Sequence, residues 1–151
     1  MRRRPAVGRP VKLADATSPD TAGAGLVLVP VGSIEQHGPH LPLDTDTTIA
    51  VAVADRVASE LSGSWVAPAV SYGSSGEHQS FSGTASVGTE ALTHQLVELV
   101  RSLRTWASRV VIVNAHGGNV TARSPGDRHG AQFLVSLPLL TARRPADRSP
   151  R

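Results

Sequence analysis

Cysteine is absent from the 151 residues. That excludes disulfides and thiolate metal sites, so any metal must be held by histidines and carboxylates. Aromatic residues make up only 3%, so a core must be packed from Val, Leu, Ile and Ala. No apolar run approaches the ~18 residues of a membrane span. Met1 to Pro10 is Arg-rich, but no apolar stretch of a signal peptide follows it, so the expected compartment is the cytoplasm. What remains is a chain with 40% hydrophobic residues, long enough for one domain with a real core.

The sequence pI of about 10.5 invites a nucleic-acid reading, which the distribution of charge argues against. Residues 1–10 carry four Arg and no acid, and residues 121–151 carry six Arg and two Asp. Residues 11–120 hold five basic and ten acidic side chains, a net charge of −5. The basicity belongs to the two ends, without aromatic interleaving or a basic helical stripe, so no nucleic-acid partner is expected. The chain divides accordingly into a basic extension at 1–12, a domain at 13–120 and an Arg/Pro-rich tail at 121–151.

Within the domain, Leu26 to Val31 is a continuous apolar run that reads as a buried strand. From Asp46 the pattern turns helical, with Ile49, Val53, Val57 and Leu61 as the expected buried stripe, Asp46 or Thr47 as the expected N-cap and Gly63 as the stop. Trp65 to Val70 predicts a second strand. A helix beginning near Thr89 is marked by Leu92, Leu96, Leu99, Leu103 and Trp106. Val110 to Val113 predicts a third strand. Alternating strands and helices imply an α/β fold with a mostly parallel sheet. In the tail, Pro125 and Gly126 break the helix that should follow. Phe133 to Leu140 is too short and isolated to replace a missing strand–helix pair, so 121–151 is expected to be poorly structured or weakly docked.

Two polar clusters, Glu35 to Asp46 and Asn114 to Asn119, each directly follow an apolar strand. In such sheets sites form beyond the carboxyl ends of the strands. Glu35 and His37 are two apart and project to one side of an extended segment. Asp46 sits at a helix start, where the dipole favours a carboxylate. His116 leaves the third strand in a turn with Gly117 and Gly118, which permit close approach and unusual dihedrals. Taken singly, a loop histidine is most simply solvent-exposed and Asp46 a helix cap. Together they form a mixed nitrogen and oxygen set suited to zinc, iron or manganese, and a shared Asp can hold two ions.

Gly32-Ser33-Ile34-Glu35-Gln36-His37-Gly38-Pro39-His40-Leu41-Pro42-Leu43-Asp44-Thr45-Asp46 resembles the signature of the creatininase (creatinine amidohydrolase) family. Asn114-Ala115-His116-Gly117-Gly118-Asn119 is similar to its second motif, and Gly76-Glu77-His78-Gln79-Ser80-Phe81-Ser82-Gly83-Thr84 to a third block. The wording through Gly88-Thr89-Glu90-Ala91-Leu92 is nearest to the creatininase-like peptidases of mycofactocin biosynthesis. The similarity spans about Leu13 to Val120.

The resemblance implies a three-layer α/β/α sandwich, C-terminally truncated, and a two-metal site using zinc, iron or manganese. Glu35 and His116 would bind one ion, His37 the other, with Asp46 bridging. The implied activity is metal-dependent hydrolysis of an amide, as a peptidase releasing a C-terminal dipeptide from a modified precursor peptide. The alternatives are a small cyclic amide or formamide substrate, or a non-catalytic remnant. Homo-oligomers, often hexamers, are implied as well. Glu77 and His78 are the candidates for protonating the leaving nitrogen, and His40 for orienting a ligand. His94 reads as solvent-facing, and His129 is assigned nothing.

The sequence departs from the family pattern in four places. Gly118 stands where creatininase has a carboxylate. No Glu-bearing block follows Val120. Ala115 replaces a usual Gly, which predicts strain if the turn needs positive φ. Ser82 replaces a common Pro.

Overall fold

The computed structural model describes residues 10–121 and 133–136. Its elements run β1 (Val11–Lys12), β2 (Leu26–Val31), α1 (Thr45–Glu60), β3 (Ser64–Val66), α2 (Thr89–Leu103), β4 (Val110–Asn114) and β5 (Phe133–Ser136), with short 3-10 turns between some of them. The sheet order is β1-β3-β2-β4-β5, and every pairing is parallel. All six residues of the central strand β2 are buried, which explains its unbroken apolar run.

Side chains alternate across β2 and so face two different layers. Leu26 and Leu28 pack with Val66, Val113 and the α1 residues Ala54 and Ala58. Val27, Val29 and Val31 pack with Leu92, Leu96, Val100 and Leu103 of α2. The two helices therefore cover opposite faces of the sheet, giving the three-layer α/β/α architecture.

The helix faces differ in detail from expectation. In α1 the buried residues are Asp46, Ala50, Ala54 and Ala58, one position beyond the Ile49, Val53, Val57, Leu61 stripe. Small alanines let the helix axis approach the sheet. Val53 and Val57 flank that contact, while Ile49 and Leu61 are exposed. The same stripe begins with Asp46, so the face that packs the helix also turns this carboxylate inward. The N-cap is Asp44 rather than Asp46 or Thr47. In α2, Leu92, Leu96 and Leu103 are buried as expected and Val100 joins them, while Trp106 lies beyond the helix end and is exposed.

The Trp65–Val70 segment forms a regular strand only at Ser64–Val66. Pro68 lacks an N–H for the ladder, yet the chain stays alongside β2. Ala67 N–H donates to Leu28 O, and Val70 N–H to Pro30 O, both at 2.9 Å. Val11 and Lys12, assigned above to the basic extension, pair with Trp65 and Val66 as an edge strand. The tail also contributes. Phe133–Ser136 pairs residue by residue with Val111–Asn114, within a tail expected to be poorly structured or weakly docked. A full parallel partner in β4 gives four residues what they cannot supply alone. Pro125, Gly126 and His129 lie outside the described residues.

Candidate metal centre

The carboxyl ends of β2 and β4, hydrogen-bonded neighbours in the sheet, deliver the two polar clusters to one place. Asp46 stands at their centre. Its Oδ1 lies 2.9 Å from His37 Nε2 and its Oδ2 3.1 Å from His116 Nδ1. His116 Nε2 in turn lies 3.3 Å from Glu35 Oε2. All four candidate ligands from the sequence thus converge. Glu35, Asp46 and His116 are each at most 5% exposed, and their donor atoms all lie within 4.8 Å of one another.

Neighbouring groups fix these side chains. Ser33 Oγ donates to Asp46 Oδ2 at 2.6 Å. His37 Nδ1–H donates to the Glu35 carbonyl at 3.1 Å, which leaves Nε2 turned to Asp46. Burial pushes the Asp46 carboxyl up, but hydrogen bonds from His116, Ser33 and His37 outweigh it and hold the group below its ordinary range. Burial pushes His116 down. The hydrogen bond to Asp46, the Glu35 charge and the Ser74 carbonyl outweigh that and raise it. Both ring nitrogens of His116 face acceptors, since Nε2 is also 3.1 Å from Ser74 O.

Asn119 is the buried hub beneath the site. Its Nδ2 donates to Gly32 O at 2.9 Å and to Asn114 Oδ1 at 3.0 Å, and its Oδ1 accepts from Ser74 N–H at 2.8 Å. One side chain therefore ties the loop after β2, the loop after β3 and the end of β4. Asn119 was quoted within a motif but given no role, as were Ser33 and Gln36, while Ser74 lies outside the quoted motifs. Their signal in the sequence was a polar residue beside a ligand candidate, and polar residues in loops are too common for that to select them.

Glu77 and His78 lie on a single turn, Gly76–His78. His78 Nε2 is 3.6 Å from Glu35 Oε1, and Glu77 Oε1 is 3.5 Å from His116 Nε2. Gly38 N–H donates to Gln36 Oε1 at 2.9 Å, which orients that amide. Gln36 Nε2 then donates to His78 Nδ1 at 3.1 Å. His78 in its neutral form consequently carries its proton on Nε2, facing the site.

Other expectations shift. Among the described residues His40 is exposed and makes no hydrogen bond to a candidate ligand, so it has no orienting contact here. His94 is exposed on α2, as read. Ala115 is not strained, because no non-glycine described residue has positive φ. Its N–H donates to Val31 O at 3.0 Å. Gly117 and Gly118 do not have positive φ either. Gly118 is required for close approach: a Cβ there would press on the Ser74 carbonyl and lie 2.5 Å from His116 Nε2 and 2.7 Å from Glu77 Oε1.

The donor set fits a divalent cation. Among the described residues, the ion pairs of Glu35 and Asp46 are with histidines only. Two buried carboxylates without Lys or Arg carry negative charge that is costly to leave uncompensated. Glu35 Oε2 is buried and accepts no hydrogen bond, so one lone pair points into the cluster without a donor.

Comparison with known proteins identifies a family. The family described as "Creatininase: Creatinine amidohydrolase" matches residues 14–137. The chain belongs to the creatininase family. That match extends past Val120 into β5. A mycofactocin precursor peptide peptidase from Mycobacterium tuberculosis (strain CDC 1551 / Oshkosh) is 54% identical over 133 residues, covering 80% of this chain and 51% of that protein. A protein of the same name from Mycolicibacterium smegmatis is 60% identical over 102 residues, covering 64% and 41%. The chain thus spans about half the length of the curated relatives it matches. A solved structure described as "Creatininase Mn" superposes with a TM-score of 0.69 at 31% identity, covering 76% of this chain and 48% of that one. No helix among the described residues is long and apolar enough to cross a membrane.

Proposed function

We propose that this member of the creatininase family is a metal-dependent amide hydrolase that acts as a peptidase on a mycofactocin-type precursor peptide and releases a C-terminal dipeptide. The single observation carrying the reading is the position of Asp46, with one carboxylate oxygen turned to His37 and the other to His116. That is the arrangement a shared carboxylate needs when two ions sit side by side. Glu35 and His116 would hold one ion, His37 the other, and Asp46 both. Divalent ions bound there supply a water of lowered pKa and polarise the substrate's amide oxygen.

The protein's own residues supply the remaining requirements. Ser33 and the lowered pKa of Asp46 keep that carboxylate ionised and immobile. Glu77 and His78 stand at the mouth as proton-handling candidates for the leaving nitrogen. The Gln36 contact favours His78, whose Nε2 proton faces inward. Leu41, Tyr72 and Phe81 are exposed apolar side chains in the loops that carry the site, suited to contact a peptide or a second subunit. A cytoplasmic homo-oligomer is part of this proposal.

The experiment is direct. The chain is stripped with a chelator, reloaded with manganese, zinc or iron, and incubated with a modified precursor peptide, the products being read by mass spectrometry. Release of a C-terminal dipeptide that depends on the added ion, and is lost in His116→Ala, is expected. Failure of the wild-type chain to bind any of the three ions would remove the reading altogether.

A further inference from the structure

We infer that Glu77 is a metal ligand, its carboxylate completing the donors around the ion held by Glu35, Asp46 and His116. This rests on the metal-centre reading above and moves Glu77 from the proton-handling candidates to the ligands, leaving His78 in the former role.

The carboxylate of Glu77 lies in an electrostatically unfavourable place for a protein without a cation. Donor atoms of Glu35, Glu77 and His78 all lie within 4.8 Å of one another, so two carboxylates approach each other. Among the described residues Glu77's only ion-pair contact is His116. Glu77 sits on a surface turn with its side chain about half exposed, 51%. Solvent was therefore available to it, yet it turns toward the buried pair. Like charges so arranged repel, and a divalent cation between them reverses the sign of the interaction.

A second observation points the same way. Glu35 is common to both groups of candidate ligands, and its buried Oε2 accepts no hydrogen bond. That oxygen and Glu77 Oε1 converge on the same atom, His116 Nε2, at 3.3 and 3.5 Å. A buried carboxylate oxygen without a donor is costly, and coordination supplies what the missing donor does not.

Gly118 explains why Glu77 can reach. A Cβ at 118 would lie 2.7 Å from Glu77 Oε1 and 2.5 Å from His116 Nε2. A side chain at 118 and the observed Glu77 carboxylate exclude each other. The absence of a side chain on the β4 turn is thus matched by a carboxylate arriving from the turn at Gly76–His78. His78 is a poorer ligand despite its proximity. Gln36 donates to its Nδ1, so its Nε2 carries a proton toward Glu35 rather than a lone pair toward an ion.

Cobalt(II) is the probe, because its visible absorption reports ligand number and type independently of turnover. The chelator-stripped full chain is titrated with cobalt(II), and affinity is measured in parallel by calorimetry. Glu77→Gln removes the charge while keeping the shape. It should weaken cobalt binding by about tenfold or more and alter the visible bands, with circular dichroism unchanged because the side chain is half exposed. Glu90→Gln, an exposed carboxylate in the first turn of α2, should leave both readouts at wild-type values. Wild-type affinity and spectrum in Glu77→Gln would overturn this ligand and leave the metal centre standing. Absence of cobalt binding in the wild-type chain would overturn both.

Discussion

Asp46 Oδ2 lies 3.1 Å from His116 Nδ1, joining the first turn of α1 to the end of β4 across 70 positions of sequence. The contact places a helix dipole, two buried carboxylates and an imidazole in one cluster. Its behaviour with pH follows from the two partners being shifted in opposite directions.

In the ion-free protein His116 is held above its ordinary 6.5. Its contribution to stability is complete below 6.5 and is lost as pH rises through the raised value. Asp46 is held below its ordinary 3.8. Its contribution is present above 3.8 and is lost as pH falls through the lowered value. The ion-free fold should therefore be most stable in weakly acidic solution between those limits. Ion binding needs His116 deprotonated, so it should strengthen as pH rises. Thermal melts with and without manganese check this: the metal-free Tm should fall across neutral pH while the metal-induced increase grows. A metal-induced increase that shrinks with rising pH would contradict the assignment of His116 as a ligand.

Asn119 should matter as much as the ligands, without binding anything itself. Replacing it with Ala leaves Gly32 O and Ser74 N–H without their side-chain partner. Unsatisfied buried groups cost about 1–3 kcal/mol each, so Asn119→Ala should destabilise by roughly 2–6 kcal/mol in urea unfolding. Metal affinity should fall with it, because two loops and the end of β4 lose their common tie. Stability within about 0.5 kcal/mol of wild type would show that water replaces the side chain without loss.

Gly118 offers a separable steric test. Its φ is not positive, so Gly118→Ala carries no dihedral penalty, and any effect comes from the Cβ. That Cβ would press on the Ser74 carbonyl, which is backbone and cannot swing aside. Gly76, on the neighbouring turn, has open space around its position and no positive φ. Gly118→Ala should lower Tm and weaken metal binding, whereas Gly76→Ala should be close to neutral. Equal behaviour of the two in melts and metal titrations would mean that the β4 turn is not closely packed.

Much of the fold and site was legible because their signals are local. The apolar runs at Leu26 and Val110 are strands, and the motif residues Glu35, His37, Asp46 and His116 come together because each follows or flanks such a strand. What was not legible depends on partners distant in sequence. Phe133–Ser136 looks isolated until β4 is seen beside it. Val11–Lys12 needs β3 in the same way. Asn119 has no distinguishing pattern, because its three partners lie at 32, 74 and 114. The α1 stripe was misread by one position because hydrophobicity favours Val over Ala, while the sheet contact favours the smaller side chain.

That misreading yields the last prediction. Ala54 is fully buried against Leu26, Leu28 and Val113, whereas Ile49, on the stripe first expected, is exposed. If close approach of α1 is set by its alanines, Ala54→Leu must push the helix off the sheet. Overpacking of this kind costs about 1–3 kcal/mol. Ile49→Ala removes little buried area and should change stability by less than about 0.5 kcal/mol. The consequence for the site follows from the shared face, since Asp46 is carried on the same helical stripe as Ala54. A helix displaced outward moves that carboxylate away from His116, so Ala54→Leu should also weaken metal binding although residue 54 touches no ligand. Urea unfolding of both variants, with a metal titration of each, separates the outcomes. A stable Ala54→Leu protein with undiminished metal affinity would show that α1 is not held tightly enough to position Asp46.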